Sequence, residues 1–362
     1  MKKFLVPLVV AGLLVVLGIV AFVRFNEPGA RQPDGSDPAV PSADRTPAGS
    51  LRGTWLGGEV ADWRPPHTLA RLSAAVYDGE DAFRAEAAAL GFDPESVRWV
   101  GSGHLQAAVV STGPADGRVT VAVFRGTSTF GELLDDIDFV GRPLGPSWRV
   151  HKGFLNALVP VEDGVAREVR EQNPVHLWAT GHSLGGAMAG LFAAKRLRAG
   201  LPAPRTVTFG QPAFGDWALV DDLNNDLGGD YVRVIFEDDP VTRLAPGFHH
   251  AGRVVRFRGE RDTLYQMPAP GTDGAPPIFP GAGGGFTHEV DAVEPPMFTE
   301  EEVRRLREDI RAEDNPPVFG DAGRPRVGTG GSWLVDAWQH RMRNYTAALA
   351  DRTADQRRRE SE

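Results

Sequence analysis

The stretch Val175-His-Leu-Trp-Ala-Thr-Gly-His-Ser-Leu-Gly-Gly-Ala187 decides the fold. Its apolar first half predicts a buried strand, and the residues from Ala187 to Arg198 have helical spacing. Between them, Ser183 stands on a sharp turn with Gly181 and His182 before it and Gly185 two places after it. Side chains two positions to either side of such a serine would clash with the strand or the helix, so glycine is needed there. The pattern predicts a strand, a nucleophile elbow and a helix.

The composition limits the class of protein. The chain has 362 residues, of which 41% are hydrophobic, and this suffices for one α/β domain with a substantial core. Cysteine is absent, which excludes disulfides and thiolate metal sites. A net charge of -9 provides no support for nucleic-acid binding, which needs a basic face.

The N-terminus predicts attachment to a membrane. Two lysines precede an apolar run from Phe4 to Val23, which is long enough to cross the hydrocarbon core as a helix. The run ends without the small-x-small exit of a cleavable signal peptide. We therefore expect residues 1–25 to be an uncleaved transmembrane anchor, with a cleaved signal segment and secretion as the alternative. The lysines should stay in the cytoplasm, which places the rest of the chain in the periplasm or outside the cell.

The rest of the chain divides into a linker, a domain and a tail. Residues 26–50 are rich in Pro, Gly, Asp and Ser and predict a flexible linker. Residues 51–352 form the predicted domain, and residues 353–362 a disordered tail. Within the domain, a Pro/Gly-rich insertion from Pro268 to Gly285 lacks a structural period and is expected to be disordered.

Helices and strands alternate along the predicted domain. Apolar spacing predicts helices over 68–77, 81–90 and 299–311, the last with Thr299 and Glu302 as a capping box. β-Branched runs predict a hairpin of 105–111 with 118–124, and further strands over 206–209, 231–236 and 253–257. This order implies a mostly parallel, twisted sheet flanked by helices, and together with the serine elbow it predicts an α/β-hydrolase fold.

The serine needs a carboxylate that orients its base. A serine hydroxyl is a poor nucleophile at neutral pH, and in a hydrolase of this topology an acid and then a histidine follow the serine along the chain. Asp239 is our candidate acid because it follows the predicted strand 231–236. Aspartate is also common in turns, so Asp238 or Asp239 is alternatively a cap of the turn before Pro240.

Four histidines follow Ser183 in the sequence and are candidates for the base. His249 and His250 come too soon after the candidate acid and are expected to line the domain. His340, at the start of a predicted last helix, is our favoured base, and His288 is the alternative.

The oxyanion of the intermediate needs hydrogen-bond donors. The backbone N–H of Leu184 directly follows the nucleophile and is one candidate. Thr127, in the glycine turn after the predicted strand 118–124, offers its N–H and its hydroxyl. The alternative is that Gly126 and Thr127 form only a turn.

A short amphipathic helix is predicted directly after Thr127. Its apolar residues have helical spacing and predict a lid over the site, although most such helices are ordinary packing elements: Phe130, Leu133, Leu134 and Ile137. The acids between them would repel an anionic surface and favour neutral or zwitterionic lipid: Glu132, Asp135, Asp136 and Asp138.

The motifs together resemble those of the class 3 lipases, the family of secreted fungal triacylglycerol lipases with relatives in plants and bacteria. The resemblance covers roughly Thr68 to Leu349 and is carried by six motifs: Phe124-Arg-Gly-Thr127, Val150-His-Lys-Gly-Phe154, Gly181-His-Ser-Leu-Gly-Gly-Ala187, Thr208-Phe-Gly-Gln-Pro212, Asp239-Pro-Val-Thr-Arg-Leu244 and His340-Arg-Met-Arg-Asn-Tyr345. The chain departs from the family in its apolar N-terminus, its lack of cysteine and the insertion between Phe257 and Trp333.

The resemblance implies an activity and its residues. Ser183 would be the nucleophile, Asp239 the orienting acid, His340 the base, and Thr127 with Leu184 the oxyanion hole, and the segment between Thr127 and His151 would be the lid region. It implies hydrolysis of lipid esters, of the acylglycerol lipase type, at a membrane or emulsion surface, with no metal and no cofactor. Phospholipase A1 or small-ester esterase activity is the nearest alternative. A catalytically silent, membrane-tethered binding module is the alternative from another class.

Overall fold

The computed structural model describes residues 46–53, 56–57, 59–60, 62–113, 117–127, 140–259, 286–290, 292, 294, 296–311 and 342–361. All of them belong to the second of the two units into which the chain divides, Ser42–Glu362. The predicted anchor, most of the linker, the predicted lid residues, the Pro/Gly-rich insertion and His340 lie outside the described residues.

Twelve strands are present in the described part of the chain. They are β1 (Leu56–Gly57), β2 (Glu59–Val60), β3 (Arg98–Ser102), β4 (Leu105–Ser111), β5 (Val119–Phe124), β6 (Gly141–Pro143), β7 (Arg149–His151), β8 (His176–His182), β9 (Arg205–Phe209), β10 (Tyr231–Phe236), β11 (Arg253–Gly259) and β12 (Phe286–Val290). Eight of them form one sheet in the order β12-β11-β10-β9-β8-β5-β4-β3, while β1 pairs with β2 and β6 with β7.

Seven α-helices are present in the same part of the chain. They are α1 (Arg64–Ala75), α2 (Glu80–Leu90), α3 (Lys152–Gln172), α4 (Leu184–Arg198), α5 (Trp217–Leu227), α6 (Glu300–Arg311) and α7 (Met342–Ser361). Short 3-10 helices lie at Gly49–Arg52, Val76–Asp78, Pro94–Ser96, Gly228–Asp230 and Pro240–Arg243.

The centre of the large sheet is parallel. β5, β8, β9, β10 and β11 run in one direction, whereas β3, β4 and β12 pair antiparallel to their neighbours. The carboxyl ends of the parallel strands therefore meet at one edge of the sheet. This mostly parallel arrangement with flanking helices confirms the predicted α/β-hydrolase class, and the predicted hairpin is the β4–β5 pair.

The core lies on both faces of the sheet. Ala122 and Phe124 of β5 pack in a cluster with apolar residues of α3, α4 and α5. Val121 and Val123 pack in a second cluster with residues of α1, α2 and α7. Because side chains alternate along a strand and both faces are covered by helices, β5 is apolar at nearly every position.

Two predicted boundaries are wrong. The linker was expected to reach residue 50, yet Ala48 is fully buried and its N–H donates to the carbonyl of Leu90 at 2.9 Å. The tail from 353 was expected to be disordered, yet α7 continues to Ser361. Thr353 is buried, and Gln356 accepts a hydrogen bond from the N–H of Trp63 at 2.9 Å. These residues contact Trp63, which directly precedes α1. Because they are polar, the hydropathy of the sequence does not indicate that they are packed.

The sequence patterns missed the two outer strands of the large sheet. β3 and β12 each lie at an edge and carry few of the apolar residues that identify a central strand. The helix predicted over 299–311 is α6, and its capping box is present: Thr299 N–H donates to Glu302 Oε2 at 2.7 Å and Glu302 N–H donates to Thr299 Oγ1 at 3.2 Å. None of the described helices combines the length and the apolarity that crossing a membrane requires.

Candidate active site

Ser183 stands on the turn between β8 and α4, at the carboxyl end of the central strand. Its backbone has φ 59° and ψ -128°, a conformation that non-glycine residues rarely adopt. Such a conformation costs on the order of 1–3 kcal/mol and persists only where the surrounding structure enforces it. Here the N–H of Ser183 donates to the carbonyl of Phe209 at 2.9 Å, while the carbonyl of Ser183 accepts the N–H of Gly186 at 2.9 Å.

The glycines of the elbow are required by backbone contacts. A Cβ added to Gly181 would lie 2.4 Å from the backbone of Gly185, and one added to Gly185 would lie 2.1 Å from the carbonyl oxygen of Phe124. Real Cβ atoms do not approach this closely. The strand, the helix and the end of β5 therefore meet at the serine turn, which is the packing that the sequence pattern predicts.

The Ser183 side chain is buried. The residue has no exposed surface, and its Oγ has no hydrogen-bond partner among the described residues. Leu184, the first residue of α4, follows directly, and its backbone N–H is one of the unpaired donors at a helix N-terminus. A helix N-terminus favours negative charge, so this N–H suits an oxyanion.

The segment after β5 lies against the same turn. A Cβ on Gly126 would meet the carbonyl oxygen of His182 at 2.5 Å and the hydroxyl of Tyr77 at 2.4 Å, so only glycine fits. Thr127 follows it, is 2% exposed, and has a hydroxyl without a hydrogen-bond partner in the described part of the chain. An unpartnered buried hydroxyl is costly unless a ligand uses it, which makes Thr127 a candidate donor to the oxyanion.

Two hydrogen-bond donors among the described residues contact Asp239. It is fully buried, its Oδ1 accepts the N–H of Val241 at 2.9 Å, and its Oδ2 accepts the hydroxyl of Tyr345. The first contact caps the 3-10 helix Pro240–Arg243, so the capping role and the candidate acid role fall on the same residue. Asp238, in contrast, has a 62% exposed side chain that lies 4.0 Å from Arg256.

Aromatic side chains pack between the nucleophile elbow and the candidate acid Asp239. His182 Nδ1 lies 3.0 Å from the hydroxyl of Tyr77, and its ring makes edge contacts with Tyr77 and Tyr345, each with a 5.9 Å centroid distance. Burial, and then the negative charge of Asp239, raise the pKa of Tyr345 well above its usual value, so its hydroxyl stays protonated and donates. The roles of Tyr77 and Tyr345 were not predicted. Tyr345 falls within a quoted motif, but the contact it makes is 106 residues distant in the sequence.

The histidines after Ser183 lie in different places. His249 stacks on Trp217 with a 3.8 Å centroid distance, and His250 Nε2 lies 2.8 Å from the carbonyl of Thr242. The backbone of His288 is in the edge strand β12, four strand spacings from β8, or about 19 Å. His340 is outside the described residues, and it precedes α7, which carries Tyr345, by two positions.

The predicted lid residues and the question of a metal site remain. The predicted lid residues Phe130, Leu133, Leu134 and Ile137 lie in the segment 128–139, which the structure does not describe. In the described ranges, no group of three or more His, Asp or Glu side chains is arranged to hold a metal ion.

Comparisons with known proteins find similarity over the central segment of the chain. The model of the family "Lipase (class 3)" matches residues 121–249, which include Ser183, Asp239 and Thr127. A secreted mono- and diacylglycerol lipase of Malassezia restricta, LIP4, is 30% identical over 150 residues, 36% of this chain and 49% of that protein. Secreted mono- and diacylglycerol lipase 1 of Fusarium solani is 33% identical over 152 residues, 40% of this chain and 45% of that protein.

The same comparisons include solved structures. The native Rhizomucor miehei lipase propeptide complex is 25% identical with a TM-score of 0.45, and covers 58% of this chain and 79% of that one. The chain spans about half the length of the curated relatives it matches. Residues 121–249 therefore match the model of the class 3 lipase family, in agreement with the resemblance that the sequence motifs indicate.

Proposed function

We propose that the protein hydrolyses carboxylic esters of acylglycerols through an acyl-serine intermediate. The observation that carries the proposal is the strained, buried Ser183, whose hydroxyl has no hydrogen-bond partner among the described residues and which stands at the N-terminus of α4. A strained backbone at such a position is typical of a functional site. Two relatives named as mono- and diacylglycerol lipases support this substrate class.

The reaction has two halves. Ser183 Oγ attacks the ester carbonyl carbon while His340 accepts its proton, and the oxyanion receives hydrogen bonds from Leu184 and Thr127. The carbon–oxygen bond to the alcohol then breaks, and His340 returns the proton to the leaving alcohol. Water attacks the acyl-serine with His340 again as base, which frees the fatty acid and the serine hydroxyl. Asp239 orients the imidazole and stabilises its positive charge.

His340 is the proposed base on three grounds. His249 and His250 make other contacts, and the backbone of His288 lies too far from Ser183 for an imidazole to reach it. His340 precedes the helix whose Tyr345 contacts the candidate acid. It also completes the order serine, acid, histidine along the chain.

Turnover by matched variants tests the proposal. The purified full chain should release fatty acid from emulsified diacylglycerol and from a soluble chromogenic butyrate ester. Ser183→Ala and His340→Ala should each lose about 10³-fold or more in kcat. Ser102→Ala, an exposed serine on the edge strand β3, and His288→Ala should retain full activity. Equal rates for the wild type and Ser183→Ala would leave the silent binding module as the better hypothesis.

The head group separates the lipase from its nearest alternatives. We propose acylglycerols rather than phospholipids because two relatives carry that name. Faster release from the sn-1 position of phosphatidylcholine than from diacylglycerol would indicate a phospholipase A1. Activity confined to the soluble butyrate ester would indicate a small-ester esterase.

We further propose that the catalytic domain acts outside the cytoplasm on a membrane tether. Two relatives are named secreted, and the apolar run from Phe4 to Val23 has the length of a membrane-spanning helix. Fractionation of expressing cells tests this. The protein should sediment with membranes, resist extraction at high salt, and be open to protease added from outside.

A further inference from the structure

The hydroxyl of Tyr77 contacts two segments of the candidate active site. Tyr77 lies in the 3-10 helix Val76–Asp78, which directly continues α1. Part of its surface is exposed, but its hydroxyl is buried and accepts a hydrogen bond from the backbone of Gly126. The same hydroxyl lies 3.0 Å from Nδ1 of His182. One oxygen atom therefore joins the residues 125–127, which we call the oxyanion loop, to the nucleophile elbow.

Each partner of this hydroxyl precedes a residue of the proposed mechanism. Gly126 directly precedes Thr127, the candidate oxyanion donor, and His182 directly precedes Ser183. An oxyanion hole works only if its donors lie at hydrogen-bond distance from the oxygen of the intermediate. The separation between the oxyanion loop and the elbow therefore matters for the reaction, and Tyr77 contacts both.

The oxyanion loop packs closely between the elbow and Tyr77. A Cβ on Gly126 would lie 3.4 Å from the backbone nitrogen of Gly185, in addition to its short distances to the Tyr77 hydroxyl and to the elbow carbonyl. The first residue of the loop is tied to the sheet, because the N–H of Arg125 donates to the carbonyl of Gln106 at 3.0 Å. The guanidinium of Arg125 also lies over the ring of Tyr77, 5.6 Å from its centroid.

The helix that carries Tyr77 is itself fixed on the central strand. Ser73 Oγ of α1 lies 3.1 Å from Thr180 Oγ1 of β8, and Thr180 Oγ1 donates to the carbonyl of Val207 at 2.7 Å. Leu72 and Val76 are fully buried in the core on this face of the sheet. A packed helix therefore presents the Tyr77 hydroxyl at a defined place.

The hydroxyl of Tyr77 has one proton, and that proton is available to His182. Burial raises the pKa of Tyr77 above its usual value and outweighs the opposing effects of the Arg125 charge and the Gly126 hydrogen bond. The hydroxyl therefore stays protonated. Because its oxygen accepts from Gly126, its proton is directed to the other neighbour, Nδ1 of His182.

We propose that Tyr77 is a positioning residue, which sets the separation between the oxyanion loop and Ser183 and acts on the reaction through Thr127. The inference rests on the proposed function, because it requires an oxyanion that Thr127 stabilises. Removal of an oxyanion donor reduces kcat by about 10²- to 10³-fold. Loss of the Tyr77 hydroxyl displaces the donor and does not remove it, so the expected effect is smaller, about tenfold.

Tyr77→Phe tests the proposal, since it keeps the ring and removes only the hydroxyl. In the purified full chain, kcat on the soluble butyrate ester should fall about tenfold, while KM changes by less than about twofold. Butylboronic acid provides a second measurement. It forms a tetrahedral adduct with a serine Oγ that places an oxygen in the oxyanion hole, and so it resembles the transition state. Its Ki should rise about tenfold, by the same factor as kcat falls.

Tyr231→Phe is the matched control. Tyr231 is fully buried, and its hydroxyl donates to Gln211 Oε1 at 2.8 Å, so its removal also deletes a hydrogen-bonded phenol. Tyr231 is the first residue of β10, at the amino end of a parallel strand, whereas Ser183 follows the carboxyl end of β8. Tyr231→Phe should shift the denaturation midpoint about as much as Tyr77→Phe does, but it should keep the wild-type kcat and the wild-type Ki for butylboronic acid.

Three results would overturn the positioning role alone. The first is a Tyr77→Phe protein with the wild-type kcat and Ki. The second is a lower kcat with an unchanged Ki, because the hydroxyl would then act elsewhere than at the oxyanion. The third is an equal loss of kcat in Tyr231→Phe, which would indicate a general effect of buried hydroxyls on the fold. Ester turnover by Ser183→Ala at the wild-type rate is a different outcome, since it would contradict the proposed function and the positioning role with it.

Discussion

The hydroxyl of Tyr345, in the first turn of α7, donates a hydrogen bond to Oδ2 of Asp239, which lies just beyond the carboxyl end of β10. The other oxygen of the carboxylate accepts the backbone N–H of Val241 at 2.9 Å. The orientation of the candidate acid is therefore fixed by one contact within its own turn and one contact from the C-terminal helix. Tyr345 acts through Asp239, which makes it a positioning residue.

Tyr345→Phe should reduce kcat about 10- to 100-fold with little change in KM, because a hydrogen bond to a charged group contributes about 1.5–3 kcal/mol. The ring would remain packed against His182 and Phe209. Steady-state kinetics on the soluble butyrate ester, with the free energy of unfolding measured alongside, checks this. A merely structural role would reduce the stability and leave the kcat of the folded enzyme unchanged.

Gly185→Ala should prevent folding or abolish activity, because its Cβ would lie 2.1 Å from the carbonyl oxygen of Phe124. Gly113→Ala is the matched control, since a Cβ there meets no atom within 4 Å. Thermal melts and ester turnover of both proteins test the comparison. A Gly185→Ala protein with wild-type melting temperature and kcat would contradict the packing of β5 against the elbow.

Thr127→Val should reduce kcat about 10²- to 10³-fold if the threonine hydroxyl stabilises the oxyanion. Thr127→Ser keeps a hydroxyl at the same place and should retain most of the activity. The residue is 2% exposed and its hydroxyl has no partner in the described chain, so the valine should cost little stability. If both variants turn over ester equally fast, only the backbone N–H of Thr127 takes part.

The elbow was predictable because its causes are local. Gly181, Ser183 and Gly185 are within five positions, and the steric need for glycine follows from a strand that turns directly into a helix. Asp239 was also predictable, since it follows the strongly apolar strand β10 by three positions. The contact between Tyr345 and Asp239 could not be predicted, because it depends on how α7 packs against the sheet. The helical end of the chain was missed for the same reason, as its few buried residues, such as Thr353, are polar.

A partly buried ion pair between Arg233 of β10 and Glu294 makes the stability depend on pH. Arg233 is 3% exposed and contacts both carboxylate oxygens of Glu294, at 2.9 Å and 2.5 Å. Burial alone would raise the pKa of Glu294, but the hydrogen bonds and charge of Arg233 outweigh it and lower the pKa to about 2. Burial, and then the charge of Arg233, lower the pKa of His250 to about 3.

Both shifts make the folded state less stable in acid than at neutral pH. The pKa of Glu294 is below its unfolded value of 4.5, so the carboxylate stabilises the fold above pH 4.5, and this contribution is lost as the pH falls toward 2. His250 is neutral when folded and takes up a proton more readily when unfolded. Its contribution is present above pH 6.5 and is lost as the pH falls toward 3. The free energy of unfolding should therefore fall continuously below pH 6.5.

Glu294→Gln should remove the lower part of this pH dependence. We expect a loss of roughly 2 kcal/mol at pH 7, because the charge that pairs with the buried Arg233 is removed while an amide oxygen remains to accept from it. The loss relative to the wild type should shrink from pH 4.5 downward, since the wild-type carboxylate is then losing its own contribution. Denaturant unfolding at several pH values between 7 and 3 measures both effects. Glu308→Gln, at an exposed position of α6, should stay within about 0.5 kcal/mol of the wild type at every pH. A constant difference between Glu294→Gln and the wild type across this range would show that the ion pair does not cause the acid sensitivity.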